Sequence, residues 1–316
     1  MAWSGTNVDA VSNDLPPAAE ARMSEIRRSG TWGSAVTSDE FAAIRSVGFD
    51  TVGQVLGAAV YNIGYTGGYG CPGAWGSYGY SYGPGARTQV SSRGGYGSFG
   101  PMVNTMYEAR RTALRRMVEE CAELGGHGVV GVRLTIGGFP AGGLEFKAIG
   151  TAVRAPGGLQ LAEPFTSDLS GQDFAKLIMA GWVPAALVLG IAIGARHDDW
   201  VTVTQTRWGA GNTEVQGYTD LVNATRHDAR HQLEQDVARH GADGVVLQQM
   251  DVRVGEHECP VQEGRRDHVL EATIIGTAIA RFGRRAAPPP PLAIMSLDPQ
   301  RRQAARVRLG STDTKT

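Results

Sequence analysis

The chain is poor in cysteine and begins without a recognisable secretory signal. Its 316 residues include three cysteines, Cys71, Cys121 and Cys259, which lie far apart and form no Cys-x-x-Cys pair. This spacing excludes a disulfide framework and a zinc-knuckle pattern. The first residues contain neither the basic segment nor the apolar segment of a signal peptide. These absences predict a cytoplasmic protein.

An excess of charge of either sign is also absent. Thirty Lys and Arg residues face thirty-one Asp and Glu residues, which gives a formal net charge of -1 at pH 7. Proteins that bind nucleic acids or anionic membranes through their overall electrostatic field usually carry a large positive excess. We therefore expect neither a nucleic acid nor a membrane surface as the partner.

Sequence motifs with a known catalytic mechanism are scarce. The chain has no His-Glu-x-x-His sequence and no P-loop, and its glycine-rich stretches are not followed by Lys-Ser or Lys-Thr at a helix start. We therefore expect a protein that is not an enzyme. An enzyme or small-ligand binder with its site between subunits is a weaker alternative.

Three blocks of sequence occur twice in the same order. The last pair is nearly identical around Ile-Gly-Thr-Ala, and the first pair shares Val-Leu-Gly. Ordered recurrence of this kind indicates a duplicated domain. The matched blocks are 39–60 with 172–193, 109–134 with 225–250, and 144–153 with 270–279.

Each copy contains the pattern of one long amphipathic helix. Leu114, Met117 and Cys121 follow helical spacing in the first copy, as do Leu233 and Val237 in the second, and each run closes on a glycine. Cys121 therefore belongs to the predicted core. The segments that follow each helix are β-branched and apolar, which is typical of buried strands.

The order predicted for each copy is a short strand, a short helix, a strand, the long helix and two further strands. The two short strands are placed at 33–37 and 165–169. This order predicts an α+β fold in which an antiparallel sheet carries one long helix on one face.

One apolar stretch, 177–195, approaches the length of a membrane span and contains no charged residue. The matching stretch of the first copy carries Arg45 and Asp50 and is interrupted at Gly48. We therefore expect a short helix, a turn at 181–184 and a buried strand, and no membrane span.

The repeat and the composition together divide the chain into five parts. The predicted parts are an N-terminal helical extension (1–31), a first copy (32–157) with a Gly/Tyr-rich loop (65–100), a linker (158–164), a second copy (165–283) and a Pro-rich, basic tail (284–316).

Both copies resemble the YbjQ-type family, which is often described as heavy-metal-binding. Gly-Ala-Asp-Gly-Val-Val at 241–246 and the Ile-Gly-Thr-Ala strands carry most of the resemblance. It implies a dodecin-subunit-like β-α-β-β fold and assembly into rings, typically of five domains. A small sheet with one helix buries little surface and leaves open edges, which independently favours a homo-oligomer.

The first candidate metal site consists of His227, His231 and Glu234, whose spacing places them on one face of the second long helix. This face is predicted to point outward. Arg226 and Arg230 lie beside the histidines and would oppose a cation. A solvated polar face is therefore the favoured interpretation.

The second candidate is the run Glu256-His257-Glu258-Cys259, with His268 nearby, in the predicted turn between the last two strands. A thiolate combined with imidazole and carboxylate groups suits a transition metal. The first copy has only glycine, alanine, proline and phenylalanine at the matching turn, so no repeated site exists. An exposed loop is the favoured interpretation here too.

The Gly/Tyr-rich loop 65–100 and the tail 284–316 are the expected contact regions for a protein partner. The loop alternates Tyr, Trp and Phe with Gly and contains Arg87 and Arg93, which suits stacking and cation–π contacts. A long flexible loop is the favoured interpretation of this composition, and the loop is also the first place where we expect binding. The sequence therefore predicts an oligomeric scaffold or binding protein, with a metal-binding protein as the alternative.

Overall fold

The computed structural model describes residues 15–30, 33–62, 88–92, 99–140, 143–157, 161, 163–258 and 266–281, which belong to one unit ending at Arg281. The predicted tail and most of the predicted Gly/Tyr-rich loop lie outside these residues.

Six helices and eight strands make up the described part of the chain. The helices are α1 (Pro17–Ser29), α2 (Ser38–Ser46), α3 (Gly100–Glu123), α4 (Gly171–Met179), α5 (Trp200–Gln205) and α6 (Gln216–Arg239), with a 3-10 turn at Trp208–Ala210. The strands are β1 (Asp50–Tyr61), β2 (Gln89–Val90), β3 (Gly128–Phe139), β4 (Gly143–Arg154), β5 (Phe165–Thr166), β6 (Trp182–His197), β7 (Gly244–Glu258) and β8 (Arg266–Arg281).

The strands form two four-stranded sheets, each with one long helix on it. The first sheet has the order β1-β4-β3-β5 and carries α3, and the second has the order β2-β6-β8-β7 and carries α6. All pairings are antiparallel except the parallel pair β3–β5. The predicted α+β fold is confirmed.

The short helices begin where the sequence supplies a capping residue. Thr37 accepts a hydrogen bond from the Glu40 backbone N–H, and the Glu40 carboxylate accepts one from the Thr37 backbone N–H. Ser170 caps α4 in the same place of the second copy. These side chains satisfy backbone donors that the first turn of a helix leaves without partners.

Each long helix lies unusually close to one strand of its sheet at a glycine, in β1 for the first sheet and in β6 for the second. A Cβ atom added to Gly57 would lie 1.9 Å from the carbonyl oxygen of Ala113 in α3. One added to Gly190 would lie 2.1 Å from that of Ala229 in α6. Gly57 and Gly190 end the matched Val-Leu-Gly sequences, so this close approach is repeated in both copies.

A buried carboxylate accompanies that close approach in each copy. Glu120 of α3 accepts a hydrogen bond from the Leu56 N–H of β1 at 2.8 Å, and Asp236 of α6 accepts one from the Leu189 N–H of β6 at 3.0 Å. Glu120 is also paired with Arg22 of α1. Burial raises the pKa of the Glu120 carboxyl group, although both partners favour its ionised form.

The structure differs from the prediction in the two short strands expected at the start of the copies. In the second copy only Phe165–Thr166 is a strand, and 33–37 in the first copy is not a strand at all. The physical reason is pairing: β5 lies beside β3, whereas residues 33–36 hydrogen-bond to their own sheet through Gly33 and Ala35 and have no strand on their other side in the described part of the chain.

The apolar stretch 177–195 forms the end of α4, a turn and β6, in the predicted order. The turn predicted at 181–184 is shorter, because β6 begins at Trp182 and pairs with β8 from there. Gly181 in the turn has a φ of 80°, a conformation that favours glycine. In the described part of the chain, no helix has both the length and the apolar character needed to cross a membrane.

The close approach of helix to sheet predicts the effect of an added methyl group. Gly57→Ala and Gly190→Ala should each lower the free energy of unfolding by about 1–3 kcal/mol or more, because the new Cβ meets helix backbone that cannot move alone. Chemical denaturation of the purified variants measures this.

Gly137→Ala is the matched control, since an added Cβ there has nothing within 4 Å. Equal stability of Gly57→Ala and Gly137→Ala would contradict the proposed packing constraint.

Candidate assembly interface

The two copies are joined by the N-terminal half of α3, which packs against the outer edge of β6. Val103 and Met106 of α3 form a buried apolar cluster with Ile191 and Ile193 of β6. At the centre of this contact the Ile191 N–H donates to the hydroxyl oxygen of Tyr107 at 2.7 Å. Burial raises the pKa of Tyr107 to about 12, so its hydroxyl stays protonated at neutral pH.

Four successive outward N–H groups along this edge of β6, from Leu187 to Ile193, find side-chain acceptors. Besides Ile191, Leu187 donates to the Thr166 hydroxyl at 2.8 Å and Ile193 donates to the Ser91 hydroxyl at 3.1 Å. Together with the Leu189 bond to Asp236, these contacts occupy every second residue of the edge. An edge satisfied in this way offers no row of open donors to another strand.

The outer edge of β3 is closed by the segment that leads into the second copy. Ser167 donates its N–H to the Val129 carbonyl and accepts from the Val132 N–H, both at 2.9 Å. The Gly131 N–H donates to the Leu169 carbonyl at 3.0 Å. Residues 165–169, predicted as part of the second copy, thus complete the sheet of the first copy.

The reverse exchange occurs at β2, which belongs to the predicted loop of the first copy. Gln89 and Val90 pair with Ala195 and Gly194 of β6, in the second sheet. Each sheet therefore contains a short strand supplied by the segment assigned to the other copy. The copies are interdependent along these edges.

A charged cleft of about 230 Å³ lies between the two sheets. Arg110 of α3 is 4% exposed there, and its guanidinium group lies 5.5 Å from the centre of the Phe146 ring. Burial lowers the pKa of Arg110, and the nearby Glu271 carboxylate opposes that shift. Lys147, Asp251 and Arg253 also line the cleft, so charges of both signs face it.

His227, His231 and Glu234 lie exposed on α6, as predicted. His227 and His231 line one groove together with the buried Asp228, whose carboxylate accepts from the Ser91 hydroxyl at 3.2 Å. Glu234 lies 4.0 Å from His231. Among the residues that the structure describes, no group of three His, Cys, Asp or Glu side chains is arranged to hold a metal ion.

The second candidate site differs from the prediction in its placement. Glu256, His257 and Glu258 belong to β7 and not to the turn, because they pair in register with the first residues of β8. Glu256 forms an ion pair with Arg266. Cys259 lies outside the described residues.

His268 belongs to a buried polar network that the sequence did not predict. Its Nε2 lies 2.8 Å from the Tyr218 hydroxyl and 3.2 Å from the Asp198 carboxylate. On the neighbouring strand His197 lies 2.7 Å from Asp267. The charged run 196–199, which follows the apolar part of β6, is the feature of the sequence that could have indicated this network. The network ties the ends of β6 and β8 to the start of α6.

Cys121 is buried on α3, as predicted, with its sulfur 3.4 Å from the Gly128 carbonyl oxygen. Burial raises the pKa of its thiol to about 12. A thiol protonated to that degree is a poor nucleophile and a poor metal ligand at neutral pH.

Comparison with known proteins gives two kinds of match. The YbjQ_1 family model, described as "Putative heavy-metal-binding", matches residues 89–156, from β2 through α3 to β4. The predicted resemblance is thereby confirmed for this part of the first copy, while that of the second copy stays a prediction.

The chain is 30% identical over 279 residues to a Mycobacterium tuberculosis protein named encapsulin nanocompartment protein Rv1762c. That match spans 86% of this chain and 94% of the relative.

Two shorter matches are to proteins named UPF0145. One, from Vibrio campbellii, is 49% identical over 49 residues, 16% of this chain and 47% of the relative. The other, from Methanococcus maripaludis, is 43% identical over 56 residues, 18% of this chain and 50% of the relative. The chain thus matches about half the length of each.

The hydrogen bond between Ile191 and Tyr107 predicts a stability effect. Tyr107→Phe should lower the free energy of unfolding by about 1–3 kcal/mol at neutral pH, because the buried Ile191 N–H loses its acceptor. Urea denaturation measures this. Tyr61→Phe is the control, since the Tyr61 hydroxyl contacts another hydroxyl, that of Thr112, at 3.0 Å.

The same variant should also change the response to alkali. The pKa of Tyr107 is about 12 in the folded chain and about 10 in an unfolded chain. Between these values the folded state holds the proton longer, so its stability falls as the pH rises. Tyr107→Phe should make that fall shallower, and an unchanged slope would contradict the burial of this hydroxyl.

Proposed function

This chain belongs to the family of the Mycobacterium tuberculosis encapsulin nanocompartment protein, and we propose that it is a non-enzymatic building block which assembles with copies of itself as part of a protein nanocompartment. The cytoplasm is the proposed compartment, since the cysteine in the described residues, Cys121, is a thiol and not a disulfide. Ring formation, with about five domains around an axis, is the proposed geometry.

The observation that carries this proposal is the contrast between inner and outer edges. The edges of β6 and β3, where the two copies meet, are closed by side chains and by β5. The outer edge strand β7 is 15 residues long, and Leu247 and Met250 on it are exposed. Soluble proteins protect long exposed edge strands and exposed apolar side chains, and association with another chain is one means of protection.

A contact that joins the two copies head to tail also suits closed assembly. The first copy contributes α3 and the β3 edge, and the second contributes the β6 edge and its leading segment. Because the two contributions differ, the contact is heterologous, and repetition of heterologous contacts gives rings or filaments.

The assembly proposal is tested by the mass of the native protein. Light scattering of the purified full chain should show one homogeneous species that contains several chains, and electron microscopy of the same fraction should show particles of uniform shape. A monomer at micromolar concentration would contradict self-assembly.

The Gly/Tyr-rich loop and the tail remain the proposed contact regions for other proteins. The tail and most of the loop lie outside the described residues, so the proposal that they contact other proteins rests on their composition. A pull-down with the full chain and with a variant that ends at Arg281 separates the contribution of the tail.

Metal binding is the second candidate function. It is supported by the groove in which His227 and His231 lie one helical turn apart beside Asp228. Glu234 is the proposed third ligand on this helix, and His257 with Cys259 forms the alternative pair. A transition metal such as Zn²⁺ suits these donors.

The metal proposal predicts stoichiometric metal in the purified protein. Elemental analysis should find about one transition-metal ion per chain. His227→Ala should abolish it if the helix binds, and His257→Ala should do so if the strand end binds. His240→Ala, at the C-terminus of α6, is the matched control. Metal content that none of these variants changes would exclude both sites.

A further inference from the structure

We propose that residues 33–36 of one chain add as a short parallel strand to the open edge of β7 in a second copy of this chain. The proposal rests on the proposed self-assembly and names the surface that performs it. It follows from the internal repeat, because the contact already exists once within the chain.

Within the chain, the leading segment of the second copy bridges two sheets. It is attached to its own sheet through Thr277, whose hydroxyl accepts from the Asp168 N–H at 3.1 Å. Its other side forms four backbone hydrogen bonds with the edge of β3, between His127 and Val132. Thr166, Ser167 and Leu169 are buried as a result.

The leading segment of the first copy has the same attachment to its own sheet. The Ala35 N–H donates to the hydroxyl of Thr151 at 3.0 Å, and Thr151 occupies the position in β4 that Thr277 occupies in β8. The other side of this segment has no strand beside it in the described part of the chain. Gly33, Ser34 and Ala35 are exposed.

The edge of β7 has the same form as the edge of β3. Both strands carry a bulge in the same stretch, between Val130 and Arg133 in β3 and between Leu247 and Gln249 in β7, opposite matched glycines of the neighbouring strand. Gly131 and Val132 of β3 donate their N–H groups to the Leu169 and Ser167 carbonyls, and the corresponding N–H groups of β7 are those of Leu247 and Gln248. Leu247 and Gln248 are exposed, whereas Gly131 is half-buried and Val132 is buried.

The helix half of the internal contact is not repeated between chains. In the internal contact, Arg111 of α3 lies 4.0 Å from Asp236 of the second copy. At the matched position of the first copy, Glu120 pairs with Arg22 of α1. Helix α1 therefore already occupies the side of the first copy where a helix from another chain would lie. In α6, an exposed Asn223 stands at the position of Tyr107. The contact between chains is therefore made by the strands.

The matching edges define the polarity of the assembly. Each chain offers residues 33–36 at one end and β7 at the other, so every contact leaves one segment and one edge open for the next chain. Such a contact repeats from chain to chain and gives a ring where the rotation between neighbouring chains closes. A second copy is the proposed occupant because it carries residues 33–36, whose counterpart 165–169 already pairs with the matching edge of β3.

The first test places a charge on the docking edge. Leu247→Lys should break the assembly into single chains, because a lysine in the pairing stretch blocks strand addition. Val254→Lys is the matched control: it lies on the same strand and is 62% exposed, against 48% for Leu247, but lies beyond the proposed contact. Light scattering gives the mass of each, and thermal unfolding shows whether each variant is folded.

The second test links two chains covalently and does not require a disruptive variant. In a background with Cys71→Ser and Cys259→Ser, chains with Gly33→Cys are mixed with chains that carry Val245→Cys. These positions match Thr166 and Val129, which are direct neighbours within the chain. Mild oxidation should give a disulfide-linked dimer of the two variants in several-fold excess over the control mixture with Val254→Cys.

The outcomes separate this interface from self-assembly in general. If the wild-type chain assembles while Leu247→Lys assembles equally well and the Val245→Cys mixture shows no preference over Val254→Cys, the strand contact is wrong and self-assembly stands. A monomeric wild-type chain would overturn both.

Discussion

The close approach of each long helix to a glycine in its sheet is the constraint on which the structure depends. The absence of a side chain at Gly57 and Gly190 lets the helix backbone lie directly on the first strand of each copy. At that distance Glu120 and Asp236 reach the outward N–H groups of Leu56 and Leu189. The helix thus protects the very edge along which it lies, and a shift of the helix would expose both the apolar face and these donors.

Edge protection also explains why the two copies share one chain. Neither sheet is complete by itself, since β5 closes the first sheet and β2 extends the second. The Tyr107 hydroxyl and the Thr166 hydroxyl accept from β6 in positions that no residue of its own helix reaches. Separation of the copies would leave buried backbone groups without partners, which is costly. The contact between copies is therefore as much part of the fold as the contacts within them.

The polar residues separate into structural and exposed groups. His268, Tyr218 and Asp198 contact one another in a buried network that joins strand ends to α6. His227 and His231 face an open groove, where a ligand has access. Burial and mutual contacts suit the first group to a structural role, and accessibility leaves the second as the proposed metal site. Sequence spacing does not distinguish these roles, because burial depends on which elements cover the residue.

The sequence by itself determined the duplication, the α+β class and the long helices, because apolar periodicity and a repeated Val-Leu-Gly or Ile-Gly-Thr-Ala sequence are local properties. It also determined the burial of Cys121 and the outward position of His227 and His231, which follow from the helical repeat. The tertiary structure alone decided where strand edges meet. Residues 33–37 and 165–169 are similar in sequence context, yet only the second segment became a strand, since only it has the edge of β3 beside it. The placement of His268 beside Tyr218 likewise depended on contacts between residues 50 positions apart in sequence, and local patterns do not encode such contacts.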